Sequence, residues 1–347
     1  MTSTSATKVC RMVDKDPLVS VILPVRDGEP FIGDTLESAL GQTYRNLEVV
    51  VVDDGSRDRT QAVVEAWIER DSRVRMIRQA NRGVAHARNR AIAEARGEFI
   101  APLDADDLWD PTKIERQVQR MIEAGDDTGL VYCWWVWVDV NGALLDCSPR
   151  WQFEGSGADI MLQVNYVGNA SVPLFRRRYL DEVGGYDVTL RDRDAEGCED
   201  LDVALKVAEQ SRVAVVPLRL VGYRRLRDNM SARTDRMWRS HVFVIAGARQ
   251  RRSDLSPAWI RRSHDQFALH LAGVAFWSGA YLQAIGWGLR AWRSTLAFRI
   301  LPDIIRLFSG KLLRKNRPPR RVIGPGVSFS NWEMPQPLIP YDRVYRQ

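Results

Sequence analysis

The sequence predicts an α/β protein, a mostly parallel sheet flanked by helices, with a helical C-terminal extension. Three observations carry this reading. Short apolar runs alternate with stretches of helical spacing over the first third of the chain, the pattern of βαβ crossovers. Two of those runs stop abruptly on acids, at Asp53-Asp54 and at Asp104-Ala105-Asp106-Asp107. Beyond Arg236 the apolar spacing is helical almost throughout.

Leu18 to Val25 reads as a buried first strand, broken by Asp27-Gly28-Glu29-Pro30. Phe31, Leu36 and Leu40 then sit at helical spacing. Leu47 to Val52 is a second strand, and Asp58 is expected to cap a helix carrying Ala62, Val63, Ala66 and Ile68. Val74 to Ile77 is a third strand. Gly83 is expected to open, and Gly97 to end, a helix with Ala85, Ala87, Ala91, Ile92 and Ala95 on it. The acid-tipped run Phe99 to Leu103 is a fourth strand, and a helix starts near Pro111. Val131 to Val138, rich in aromatic and β-branched residues, is a strand that turns at Asn141-Gly142 into Ala143-Leu144-Leu145. Strand alternation buries most of Trp134, Trp135 and Trp137. Gly184-Gly185-Tyr186-Asp187 is a loop. Leu201, Leu205 and Ala208 are spaced for a helix, so Glu199 and Asp200 fall at its N-terminus, where acids cap and complement the dipole. Val213 to Val216 is one more strand. Phe267 to Leu289 carries no charged residue, but His270, Gln283, several glycines and a bend at Ser278-Gly279 favour a helical hairpin over a membrane span.

These elements divide the 347 residues into a disordered polar tail (1–16), an α/β domain (17–235), a helical region (236–321) and a second tail (322–347). The domain splits into a half holding the acid-tipped strands (17–130) and a second half (131–235). The net charge of +6 is mild; its distribution says more. Lys311, Arg314, Lys315, Arg317, Arg320 and Arg321 crowd near the C-terminus, beside apolar residues such as Trp292, Phe298 and Leu307. Residues 290–321 therefore read either as a peripheral contact with an anionic membrane or as a packed amphipathic helix with a basic tail. Residues 1–16 lack the apolar core of a signal peptide. The four cysteines, Cys10, Cys133, Cys147 and Cys198, are scattered, as expected of structural thiols in a reducing compartment. Together these point to a cytoplasmic protein, able to sit on the inner face of a membrane.

Three carboxylates within four residues repel one another unless a cation sits among them. Hard oxygen ligands suit Mg²⁺ or Mn²⁺, and Mg²⁺ usually arrives with substrate phosphates. Asp104, Asp106 and Asp107 are thus candidates for a metal–phosphate site, the alternative being a solvated acidic loop before the next helix. In a parallel sheet the C-terminal strand ends share one rim, so Asp53-Asp54 and the Asp104 cluster should converge on one crevice.

The ordered stretches Val19-Ser20-Val21-Ile22-Leu23-Pro24-Val25, Gln42-Thr43-Tyr44, Val52-Asp53-Asp54-Gly55-Ser56, Asn81-Arg82-Gly83 with Arg88-Asn89, Leu103-Asp104-Ala105-Asp106-Asp107, Gly184-Gly185-Tyr186-Asp187 and Glu199-Asp200-Leu201-Asp202 resemble the inverting family 2 nucleotide-sugar glycosyltransferases. The likeness covers about two-thirds of the chain. It implies the Rossmann-like GT-A fold and transfer of a sugar from a nucleoside diphosphate, UDP by family frequency, to a hydroxyl acceptor in cell-surface polysaccharide or glycolipid synthesis. It also implies roles. Asp54, with Asp53, would accept the imino N–H of the base, with the main chain at Pro24 and Val25 flanking the ring. Glu29 and Asp104 would meet the ribose hydroxyls, Arg88 would add positive charge near the phosphates, and Asp106 would hold Mg²⁺ or Mn²⁺ on the diphosphate. Asp200, from the Glu199-Asp200 pair, would be the general base. Trp134, Trp135 and Trp137 offer faces on which an acceptor sugar could stack.

Those residue types suit the chemistry. A departing nucleoside diphosphate gathers negative charge that a divalent cation offsets, and an attacking hydroxyl needs a carboxylate within hydrogen-bond reach. One base and no enzyme nucleophile gives a single, inverting displacement. Two departures stand out: Arg26-Asp27 where the family often has Tyr-Asn, and Leu226 near the place of a frequent histidine after Tyr223-Arg224. The absence of G-x-G-x-x-G after the first strand disfavours a nicotinamide dehydrogenase. The rivals left are a metal-dependent aspartyl-phosphate phosphatase, which would put its D-x-D on the first strand, and a non-catalytic scaffold of the same fold.

Overall fold

The structure, a computed structural model, describes residues 16–226, 233–292 and 322–330. Strands β1 (Val19–Val25), β2 (Leu47–Asp53), β3 (Val74–Arg78) and β4 (Phe99–Pro102) alternate with helices α1 (Ile32–Leu40), α2 (Thr60–Arg70) and α3 (Val84–Glu94). The four strands pair in parallel. Every residue of β1 and β4 is buried, as the uninterrupted apolar runs require of strands covered on both faces.

The second half departs from simple crossovers. A two-residue strand β5 (Leu108–Trp109) and helix α4 (Lys113–Glu123) lead into the long strand β6 (Thr128–Val138), which folds back at Asn141-Gly142 as β7 (Leu144–Cys147). Helix α5 (Ala158–Met161), strand β8 (Leu174–Arg176) and helices α6 (Arg177–Glu182), α7 (Thr189–Asp192) and α8 (Glu199–Gln210) follow, and then strand β9 (Arg212–Arg224). The sheet runs β3-β2-β1-β4-β8-β6-β9-β5, with β7 on β6. β8 is antiparallel to both β4 and β6, while β6 and β9 are parallel. The C-terminal ends of β1, β2, β4, β6 and β9 therefore share one rim.

Sequence and structure differ at three places here. The α3 helix ends at Glu94 with Ala95 as its cap, not at Gly97. Gly97 instead abuts β1, where its N–H donates to Ser20 Oγ and a Cβ would meet Leu18 O at 2.7 Å. Asp58 lies one residue outside the Arg59 cap position, though its carboxylate still accepts the Thr60 N–H. β9 is more than three times the expected length, because it is paired along nearly all of β6.

Helices α9 (Thr234–Arg251), α10 (Pro257–Trp277) and α11 (Tyr281–Trp292) form the C-terminal region. α10 and α11 are the expected hairpin, turning at Ser278 and at Gly279, whose φ is +87°. Among the described residues no helix is long and apolar enough to cross a membrane. The basic stretch beyond Trp292 lies outside the described residues. Residues 322–330, expected as tail, pack on the β6–β7 hairpin: Ile323 N–H donates to Gly142 O, and Phe329 fills a small core with Leu108, Val136 and Val138. Asp110 Oδ2 accepts from Ser328 Oγ and from the Phe329 and Ser330 N–H groups.

Candidate active site

The acid loop after β4 is held from three directions. Thr35 Oγ1 on α1 donates to the Ala105 and Asp107 carbonyls. The Asp104 N–H donates to Ser171 Oγ, and the Ser171 hydroxyl donates to Asp107 Oδ2 at 2.6 Å. Arg224, at the end of β9, gives its N–H to Asp107 Oδ1 and its Nε–H to the Asp106 carbonyl. Both oxygens of the fully buried Asp107 are thus occupied inside the protein. It braces the loop and does not face a ligand, which corrects its candidacy as a metal-site carboxylate. Asp104 and Asp106 remain partly open. Burial, then the Asp104 charge, pushes the Asp106 carboxyl up to about 7, with Arg224 pulling the other way.

Arg88 ties this loop to the second acidic region. Its guanidinium is buried, with Nη2 2.5 Å from Asp104 Oδ1 and Cζ 5.2 Å from the centre of the Tyr186 ring. Burial opposes its charge, but Asp104, Tyr186 and Glu199 outweigh that and hold it protonated. Among the described residues its Nε–H has no acceptor. Buried in this way, Arg88 is not an exposed helical arginine. Glu199 and Asp200 stand at the N-terminus of α8 as expected. Glu199 is buried and accepts the Gly197 N–H at 2.6 Å. Burial, then the Glu199 charge, raises Asp200 to about 7, and Arg88 works against the rise. Two crowded carboxylates with raised pKa values facing one buried cation are what active sites commonly contain.

The other cluster lies at the end of β2. The Asp54 N–H donates to the Val25 carbonyl, which continues the β1–β2 pairing past Pro24. Asp54 Oδ1 accepts from Gln79 Nε2 and Arg82 N–H, and Oδ2 from Asn81 Nδ2 and Gly83 N–H. Four donors fill the four acceptor positions of a carboxylate, so in this state Asp54 shapes the loop 79–83. Asp53 is fully buried; Oδ1 accepts the Ser56 N–H, and among the described residues Oδ2 has only Arg78 Nε at 3.5 Å. Loop 79–83 joins the rest through a small open recess lined by Arg82, Gly83, Arg191, Glu196 and Glu199.

Glu29 stands apart on the exposed edge. Both its oxygens take Arg59, which lowers its pKa, and its N–H donates to Asp58. Nearby Asp27, with φ of +51°, accepts the Arg57 N–H, and this is the local use of the Arg26-Asp27 departure. Trp134 and Trp135 are core residues, while Trp137 is half-buried under Arg225. Sequence reasoning missed the bracing roles of Thr35, Ser171 and Arg224. Arg224 was visible only as half of the Tyr223-Arg224 pair.

A divalent cation fits this donor set in one form. Among the described residues no three His, Cys, Asp or Glu side chains gather as a cage. Two recessed carboxylates, one with its pKa raised by burial and then by its neighbour, suit an ion whose remaining ligands come from a phosphate.

The profile described as Glycosyl transferase family 2 matches residues 20–181. TuaG of Bacillus subtilis (strain 168), whose name refers to teichuronic acid biosynthesis, is 38% identical over 113 residues, 32% of this chain and 45% of TuaG. The chain spans under half the length of the curated relatives it matches. Among solved structures, S. aureus TarS 1–349 in complex with UDP aligns at a TM-score of 0.54 and 20% identity, over 83% of this chain and 78% of that one. The mannosyltransferase PcManGT from Pyrobaculum calidifontis, in complex with GDP-Man and Mn²⁺, aligns at 0.52 and 23% identity, over 88% of this chain and 82% of that one. These structures share the fold, the GT-A arrangement expected from the sequence. Residues 20–181, across the acid-tipped strands, thus match glycosyl transferase family 2, and the chain has the fold of these solved structures.

Proposed function

We propose that the protein transfers a sugar from a nucleoside diphosphate, UDP by preference, to an acceptor hydroxyl with inversion. The observation that carries this is the Arg88 junction: one buried guanidinium facing both Asp104 and Glu199, with Asp106 and Asp200 beside them. In this reading residues 17–130 bind the donor and 131–235 contact the acceptor. Asp104 meets the ribose, and Arg88, with its unused N–H, faces the phosphates near the uncapped start of α3. Asp106, with Asp104 adjacent, would hold Mg²⁺ or Mn²⁺, which when bound offsets charge on the leaving diphosphate. Asp54 sets the base pocket through loop 79–83, and a base N–H reaches it by displacing the Gln79 or Asn81 amide. Pro24, Val25 and Asp53 form the floor beside it, and Glu29 reaches the ribose only if it releases Arg59.

Asp200 accepts the proton of the attacking hydroxyl. A base whose pKa lies near 7 accepts that proton well at neutral pH. No side chain is assigned as nucleophile, so one displacement inverts the anomeric centre. Support for UDP and for a divalent ion comes from the TarS complex with UDP and the PcManGT complex with GDP-Man and Mn²⁺. The name of TuaG supports an acceptor in a cell-surface polysaccharide. Support for a peripheral membrane contact is the outward apolar row Leu282, Ile285 and Leu289 on α11, next in sequence to the basic stretch.

The test is a panel of nucleotide sugars, each titrated with Mn²⁺ and then incubated with lipid-linked and oligosaccharide acceptors. Anomeric configuration of the product is read by NMR. The reading expects one preferred donor and an inverted linkage. Phosphate release without sugar transfer favours the phosphatase alternative, and donor binding without turnover on any acceptor favours the scaffold.

A further inference from the structure

Taking Asp200 as the base proposed above, we infer that helix α9 is a brace that aims it, with Arg236, Arg239 and Ser240 as positioning residues. The turn Asp194–Cys198 delivers the chain to Glu199 and Asp200 and is bound to α9 at each step. Arg236 spans two acids of the turn, with Nη2 2.6 Å from Asp194 Oδ1 and Nη1 3.3 Å from Glu196 Oε2. Arg239 adds an Nε–H bond to the Asp194 carbonyl at 3.0 Å and an ion pair to its carboxylate. Asp194 needs that grip, since its φ of +49° is a left-handed backbone that a residue with a Cβ rarely adopts. The Cys198 N–H donates to the buried Ser240 Oγ at 2.9 Å. Gly197, with φ of +132°, lies so close to Met237 that a Cβ there would overlap its sulfur. The same Gly197 then gives its N–H to Glu199 Oε2.

The far side of the turn reaches the donor half. Arg191 Nη2 lies 2.5 Å from Asn81 Oδ1, and Asn81 Nδ2 donates to Asp54 Oδ2. A Cβ on Gly83 would meet Arg191 Nη1 at 2.8 Å and Glu196 Oε1 at 2.9 Å. The base-bearing turn is thus clamped between α9 on one side and the Asp54 loop on the other. α9 lies beyond the 20–181 match, so the C-terminal region has a part in the reaction and is not a passive appendage.

Arg236 is partly exposed and can be changed without opening a core cavity. Arg236→Ala, Arg236→Ala/Arg239→Ala and Asp200→Asn, each in the full chain, are compared for turnover and for donor binding by calorimetry with UDP-sugar and Mn²⁺. The brace predicts that kcat falls by about tenfold to 10²-fold in the arginine variants with donor Kd unchanged. It also predicts that adding Arg236→Ala to Asp200→Asn costs no further rate, because the arginine acts through the carboxylate. Wild-type kcat in both arginine variants, or a loss of kcat that comes only with a matching loss of donor affinity, overturns the brace. Full turnover in Asp200→Asn would instead overturn the base assignment, so the two failures are told apart.

Discussion

Arg88 Nη2 and Asp104 Oδ1 form an ion pair 2.5 Å apart inside the protein, across which the acid loop after β4 meets the Glu199–Asp200 corner of α8. Losing the buried guanidinium leaves the buried Glu199, and with it the partly open Asp104, without a compensating charge. Arg88→Met is therefore expected to lower stability by about 3–5 kcal/mol and to abolish turnover. Arg88→Lys should recover some of the stability but little of the activity, because an ammonium cannot face Asp104 and Glu199 with a planar fork. Urea unfolding and initial rates on the three proteins check this.

Turnover should depend on pH through Asp200. Burial and Glu199 raise its carboxyl to about 7, and a base works only when ionised. The rate kcat is expected to rise with pH across that value and level off above it. Removing the Arg88 charge, which holds the carboxyl down, should move the midpoint upward in any variant with residual activity. A pH–rate profile measures both.

Stability should run the opposite way. Asp106, Asp107, Glu199 and Asp200 all have raised pKa values in the folded chain. A carboxyl raised on folding stabilises the native state below its unfolded value, 3.8 for aspartate, and that contribution is lost as pH rises through the folded value. The melting temperature without ligand should fall between about pH 4 and pH 8. Mn²⁺ with UDP should raise it most at the alkaline end, where the carboxylates are charged, and Asp106→Asn should shrink that rise. Thermal melts in both conditions decide it.

Phe329→Ala should cost about 3–5 kcal/mol, because the ring fills the core with Leu108, Val136 and Val138. The effect should reach the acid loop, since Leu108 follows Asp107 directly and Asp110 anchors the same segment. Hydrogen exchange at Asp104–Asp110 is the measurement, and faster exchange there is the expected result.

The readable part of the chain was the part governed by local pattern. β1 to β4 are apolar runs buried on both faces, so composition alone marks them, and the acids at their ends follow from strand direction. Glu199 and Asp200 were legible because helical spacing starts just after them. β5 and β8 were not, being two and three residues long and existing only through pairing with β9, β4 and β6. The engagement of Asp54 by four donors and the grip of Arg224 on Asp106 and Asp107 depend on residues that are distant in sequence. Phe329 could not be read as core, because its partners lie about two hundred residues away and its own neighbourhood is polar.

The most direct test of the account is a calorimetric titration of UDP-sugar into wild type, Asp106→Ala and Asp200→Asn, with Mn²⁺ and with chelator. Wild type is expected to bind only with the metal, Asp106→Ala to lose that binding, and Asp200→Asn to keep wild-type affinity while no longer turning over. Donor binding that ignores both the ion and Asp106→Ala would contradict it.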